Sequence, residues 1–144
     1  MQRFTAAALT VTAMLTAAPA TATPVEGDVE RTDLATGTNS GPVIIASEGP
    51  TTLYVQELVL DPPSSSGWHT HPGAENTVIT GGTVSVQTAQ QCAPTAYLAG
   101  QSVFIPAGVP HIVRNDSPHD ANAVVTYTVP AHLAVRDDAP AACP

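Results

Sequence analysis

His69 and His71 are separated by a single residue, and Glu75 follows within the run Gly67-Trp68-His69-Thr70-His71-Pro72-Gly73-Ala74-Glu75. Alternate side chains of a β-strand share a face, so the two imidazoles point the same way. Glu75 has the same parity, with Pro72-Gly73 placed to bend the chain between them. Two imidazoles and a carboxylate converging from one short segment suit a divalent transition metal. Taken alone, His-x-His is better explained as two histidines on a strand edge. A second cluster shifts that balance. Gly100, Pro106, Gly108, His111 and Asn115 follow the spacing G-x5-P-x-G-x2-H-x3-N. Pro106 and Gly108 build a tight turn, His111 opens the next strand, and Val113 and Asn115 lie on its face. G-x-S-x-G, G-x-G-x-x-G and the phosphate-loop pattern are absent, which leaves serine hydrolase, dinucleotide and nucleotide-triphosphate chemistry without support.

The elements that must position these residues read as short strands. Val, Ile, Thr and Tyr dominate segments 43–46, 51–60, 68–71, 77–80, 83–88, 102–105, 111–114 and 123–129. Turn residues separate them, among them Gly49-Pro50, Asp61-Pro62-Pro63 and Gly81-Gly82. In segment 51–60, Leu53, Val55, Glu57 and Val59 share one face. No long 3.6-residue period appears, and such strand spacing predicts an all-β sandwich or barrel. Residues 23–40 are a polar lead-in or a loosely attached first strand. The Ala/Asp/Pro-rich tail 132–144 is expected on the surface, apart from the His/Glu cluster. Phe104, Tyr54 and Tyr127 are expected in the core, Trp68 facing away from the histidines, and His119 and His132 in solvated loops.

With both clusters in hand, the sequence resembles the cupin superfamily. His69, His71, Glu75 and Gly82 match the first cupin motif, G-x5-H-x-H-x3,4-E-x6-G, and every fixed position of the second is present. The leading glycine of the first motif would fall at Pro63; that glycine serves a turn, which Pro62-Pro63 can also make. The resemblance implies a single-domain antiparallel jelly-roll β-barrel over about residues 41–131, open at one end. It also implies one divalent metal ion on His69, His71, Glu75 and His111. Mn, Fe, Ni, Cu and Zn all accept three imidazoles and a carboxylate. The superfamily spans dioxygenases, isomerases, decarboxylases, storage proteins and ligand-binding modules, so two readings stand. One is a metal-dependent enzyme on a small organic substrate, dioxygenase-like or isomerase-like, with Glu75 a ligand or a general base. The other is a non-catalytic metal- or small-ligand-binding protein. Arg114 has the wrong parity relative to His111 to grip an anionic substrate. A homodimer is compatible with either reading.

The rest of the chain bears on where it works. Residues 1–22 carry Arg3, an apolar stretch diluted by Thr10, Thr12 and Thr16, and a small-x-small end at Ala22, the layout of a secretory signal peptide. The run is too short and too polar for a membrane anchor. Export would allow Cys92 and Cys143 to form one disulfide, closing a loop of about 50 residues and contributing up to about 4 kcal/mol. The 144 residues leave room for one ordinary domain. Twelve acidic residues face four basic ones, all arginine, for a net charge of −8. So acidic a chain is a poor partner for nucleic acid or for an anionic membrane.

Overall fold

The computed structural model describes residues 26–144, so the signal peptide expected over residues 1–22 lies outside them. Among the described residues there is no helix. Ten strands follow in order: β1 Thr51–Leu60, β2 Ser64–Ser65, β3 His69–Thr70, β4 Ala74–Gly81, β5 Thr83–Thr88, β6 Gln91–Leu98, β7 Ser102–Ile105, β8 His111–Asn115, β9 Ala121–Pro130 and β10 Asp137–Asp138. They form two antiparallel sheets. One has the order β1-β9-β4-β7; the other runs β10-β3-β8-β5-β6, with β2 also paired to β8. This is the jelly-roll barrel expected from the sequence.

The core between the sheets is built from alternate positions of both. Ile79, Val103, Ile105, Ala121, Ala123 and Val125 come from the first sheet, and Val84 and Val86 from the second. Leu60 of β1 also belongs to it. A β-rich sequence folds this way because each strand buries one face and leaves the other to water. Gly82 turns β4 into β5 with φ of +68°, and a Cβ there would lie 2.5 Å from the Asp120 carbonyl oxygen. The motif glycine at this position thus answers to both turn and packing.

Three readings need correction: segment 43–46, the missed β6, and Tyr54 and Phe104 as core. Segment 43–46 forms no strand, and Val43, Ile44 and Ile45 are exposed. A strand not foreseen, β6, pairs with β5 from Thr83↔Leu98 to Thr88↔Gln91. It carries Pro94, which is tolerated because β6 is the sheet's edge, where a missing donor costs no ladder bond. In β1 the Leu53, Val55, Glu57 and Val59 face points outward: Leu53 is 65% exposed, and Val55 and Val59 57% each. Tyr54 and Phe104 are only half-buried and stand outside the core. His119 and His132 are exposed, as expected of loop histidines. Part of the lead-in is anchored: Thr38 forms a parallel bridge with Gln101 and exchanges backbone hydrogen bonds with Gly100 and Ser102.

Candidate metal centre

His69 lies in β3, directly opposite His111 of β8. Across the other side of β3, Asp138 of β10 pairs with His69 and Asp137 with Thr70. His71 follows one step beyond the strand, and Pro72-Gly73 then carries the chain from the second sheet to the first. Gly73 makes that passage possible. A Cβ there would sit 1.7 Å from the Thr128 carbonyl oxygen of β9, so only glycine lets the loop lie so close. Glu75 enters β4 between Ile105 of β7 and Tyr127 of β9. The four side chains therefore approach one point from both sheets.

One ligand-type atom from each of His69, His71, Glu75 and His111 lies within 4.8 Å of every other. All four residues are buried, His111 completely. Each imidazole is oriented from behind by a backbone carbonyl. His69 Nδ1 lies 2.9 Å from the Gly67 oxygen, His111 Nδ1 2.9 Å from that of Val109, and His71 Nδ1 2.5 Å from that of Val135. A carbonyl only accepts, so each Nδ1 carries the proton and each Nε2 presents a lone pair. Glu75 Oε1 accepts a 2.6 Å hydrogen bond from the Thr77 hydroxyl. Its Oε2 stands 3.0 Å from His71 Nε2 and 3.1 Å from His111 Nε2.

These three atoms are out of reach of water and lack a hydrogen-bond partner. Acceptor nitrogens facing a carboxylate oxygen in a dry site are an unfavourable arrangement unless a cation lies among them. Ligands on bonds of about 2.1 Å at right angles are about 3.0 Å apart, which the observed separations match. The donor set thus fits one divalent transition metal ion.

The electrostatics agree. Burial alone would raise the Glu75 carboxyl. With no ion present, His111 and His71 in their protonated forms would donate to Oε2 and, with the Thr77 hydroxyl on Oε1, hold it below the usual carboxylate range, the positive role that a bound cation would take over. His69 is lowered to about 4, chiefly by burial, against the raising effect of the Gly67 carbonyl. At neutral pH both are in the deprotonated form that a metal requires. Tyr127 is raised by burial and then by the negative charge of Glu75.

Three contributors were not foreseen from the sequence. Thr77 shares strand parity with Glu75, a signal that was there to be read. Tyr127 packs its ring 4.5 Å from that of His71, which only the β4–β9 pairing reveals. The tail was expected to lie apart from the cluster, yet Val135 bonds His71 and β10 pairs with β3. Asn115 is fully buried and holds no ligand position. Its amide donates to the carbonyls of Leu60 (2.7 Å) and His119 (2.8 Å), and its oxygen accepts from Ser117.

The cupin domain family model matches residues 56–127, half of the chain. The protein is a cupin. Solved structures of the same fold include a DMSP lyase, at 19% identity and TM-score 0.54 over 61% of this cupin and 44% of that chain. An oxalate oxidase in complex with the substrate analogue glycolate matches at 21% identity and TM-score 0.49, over 52% and 41%. A sugar phosphate isomerase from a cupin superfamily in Silicibacter pomeroyi matches at 24% and 0.48, over 53% and 50%. The cupin spans about half the length of these proteins or less. A search of curated proteins finds none that matches it.

Proposed function

We propose that this cupin is a secreted metal-dependent enzyme acting on a small organic substrate, dioxygenase-like or isomerase-like. One divalent transition metal ion would be held by His69, His71, Glu75 and His111. The observation that carries this reading is the set of buried, partnerless acceptor atoms on His71, Glu75 and His111. When bound, such an ion supplies Lewis-acid or oxygen chemistry. The chain's part is to pre-set the donors. Backbone carbonyls fix the imidazole tautomers, Thr77 holds one Glu75 oxygen, and Tyr127 walls the His71 side. Two clefts, of about 200 Å³ beside Val86, Val103, Ile105 and Val109 and about 560 Å³ beside Pro72 and Gly73, are each lined by none of the four donors, so neither is assigned to substrate. Export is supported by the layout of residues 1–22 together with the Cys92–Cys143 disulfide.

A second reading, a protein that holds an extracellular metal ion without turnover, is favoured by the depth of burial of the four donors. Two measurements separate them. Elemental analysis of chelator-free protein should find about one divalent ion per chain, and its absence would remove both readings. Azide added to Co(II)-loaded protein should change the visible spectrum if an exchangeable position exists. A spectrum indifferent to every small anion would favour the holder over the enzyme.

A further inference from the structure

The three carbonyls that orient the imidazoles differ in kind. Gly67 and Val109 lie two residues before the histidines they hold, so His69 and His111 are set by their own strand entries. His71 is set by Val135, 64 residues away. Val135 belongs to the tail after β9, which recrosses the second sheet. Ala139 N donates to the Trp68 oxygen at 2.9 Å, and Arg136 Nη2 donates to the Ser66 oxygen at 2.8 Å and to Asp138 at 2.9 Å. The tail ends on the Cys92–Cys143 disulfide, with Cys92 on β6.

Little else retains this strap. From Ala131 to Pro144 only Cys143 is buried, and only Val135 and Ala139 are half-buried. β10 is two residues long and both are exposed. Burial of apolar surface therefore contributes little to its hold, and the covalent tie supplies what packing does not.

We infer that the C-terminal strap is a positioning element for the metal site, with the Val135 carbonyl setting His71 and the Cys92–Cys143 bond locking the strap in place. The inference rests on the proposed metal-binding role of His71. It makes metal affinity sensitive to the redox state of the disulfide. A dithiol passes two electrons and two protons to the bond, leaving two cysteine thiols, and closes to its own cyclic disulfide. Cys92 is exposed and Cys143 buried, so a reductant approaches the bond from the Cys92 side. With the strap free, His71 Nδ1 loses its fixed acceptor and the imidazole its fixed tautomer and direction. Loss of such an outer partner lowers metal affinity by about 10–100-fold.

Co(II) is the probe, titrated into metal-free protein and read by its visible absorption. The Cys92→Ser/Cys143→Ser variant should bind about 10–100-fold more weakly than wild type, with an unchanged β-sheet circular dichroism signal. Wild type opened with a phosphine, capped with iodoacetamide and desalted should match it. Arg136→Ala should weaken Co(II) binding with the disulfide intact, and Arg136→Lys should recover part of the loss. Equal Co(II) affinity in the double variant and wild type, even with a lower melting temperature, would reduce the strap to a purely structural role and overturn the inference. Should the double variant fail to fold, Arg136→Ala decides: a weaker site supports the inference and an unchanged one refutes it. Wild type that binds no Co(II) is a separate failure, that of the metal site itself.

Discussion

Replacing Gly73 by alanine tests how the two sheets are brought together at the site. The added Cβ would meet three backbone atoms of β9: the Thr128 oxygen at 1.7 Å, its carbonyl carbon at 2.5 Å and Val129 Cα at 2.8 Å. A carbon normally approaches a carbonyl oxygen no closer than about 3.3 Å, so the loop or β9 must move by about 1.5 Å. No flexible side chain stands there to give way. The displacement falls on the first pairs of the β4–β9 ladder, Ala74↔Thr128 and Glu75↔Tyr127, and moves Glu75 away from His71 and His111. Metal–ligand distances tolerate about 0.2 Å. Co(II) affinity should therefore fall by at least about 100-fold. Overpacking against backbone should destabilise the metal-free protein by about 3 kcal/mol, lowering its melting temperature by about 10 °C or more. Gly49→Ala is the matched control, because a Cβ there meets nothing within 4 Å. It should stay within about 0.5 kcal/mol of wild type. The reasoning is refuted if Gly73→Ala binds Co(II) as wild type does and melts together with Gly49→Ala.

Three further outcomes follow from the same geometry. Asn115→Ala removes a fully buried amide serving two carbonyls and Ser117, and should lower stability by about 2–4 kcal/mol in urea titrations; a loss under 1 kcal/mol would contradict its bridging role. Lowering the pH from 6.5 towards 4 should destabilise the metal-free protein, because His69 is held near 4 and the unfolded chain takes up the proton first. The full shift corresponds to about 3 kcal/mol, about half of it after solvent screening, and His69→Asn should flatten this limb of the stability–pH curve. Stripping the metal should lower the melting temperature, with a recovery on adding back Co(II) that grows with its concentration, as linkage requires; a transition independent of the ion would speak against binding to the folded state.

The four donors were legible because strand parity is a local property. His69 and His71 share a face by spacing alone, and His111 follows the Pro106-Gly108 turn that delivers it opposite β3. Which face of a strand turns inward is not local. The apolar set Leu53, Val55 and Val59 looks like a core face in isolation. Here β1 is an outer strand, and the core is already filled by β4, β5, β7 and β9, so the apolar set is left in solvent. That β6 can carry Pro94 has a similar basis, since proline is excluded from a central strand but not from an edge, and edge position is a property of the whole sheet.

The orientation of the imidazoles divides along the same line. A carbonyl two residues before a histidine is set by the strand entry that also sets the ring, so for His69 and His111 the sequence that supplies the imidazole also supplies its support. A carbonyl has no side-chain identity, and nothing in Ala134-Val135-Arg136 marks it as the partner of His71. Only the cysteines hinted that the tail returns to the barrel, and they fixed its end without saying what it crosses on the way. Of the four residues proposed to hold the metal, His71 is thus the one whose geometry depends on the longest path through the fold. The site should be most easily disturbed there, through the strap, while His69 and His111 keep their places as long as β3 and β8 remain paired.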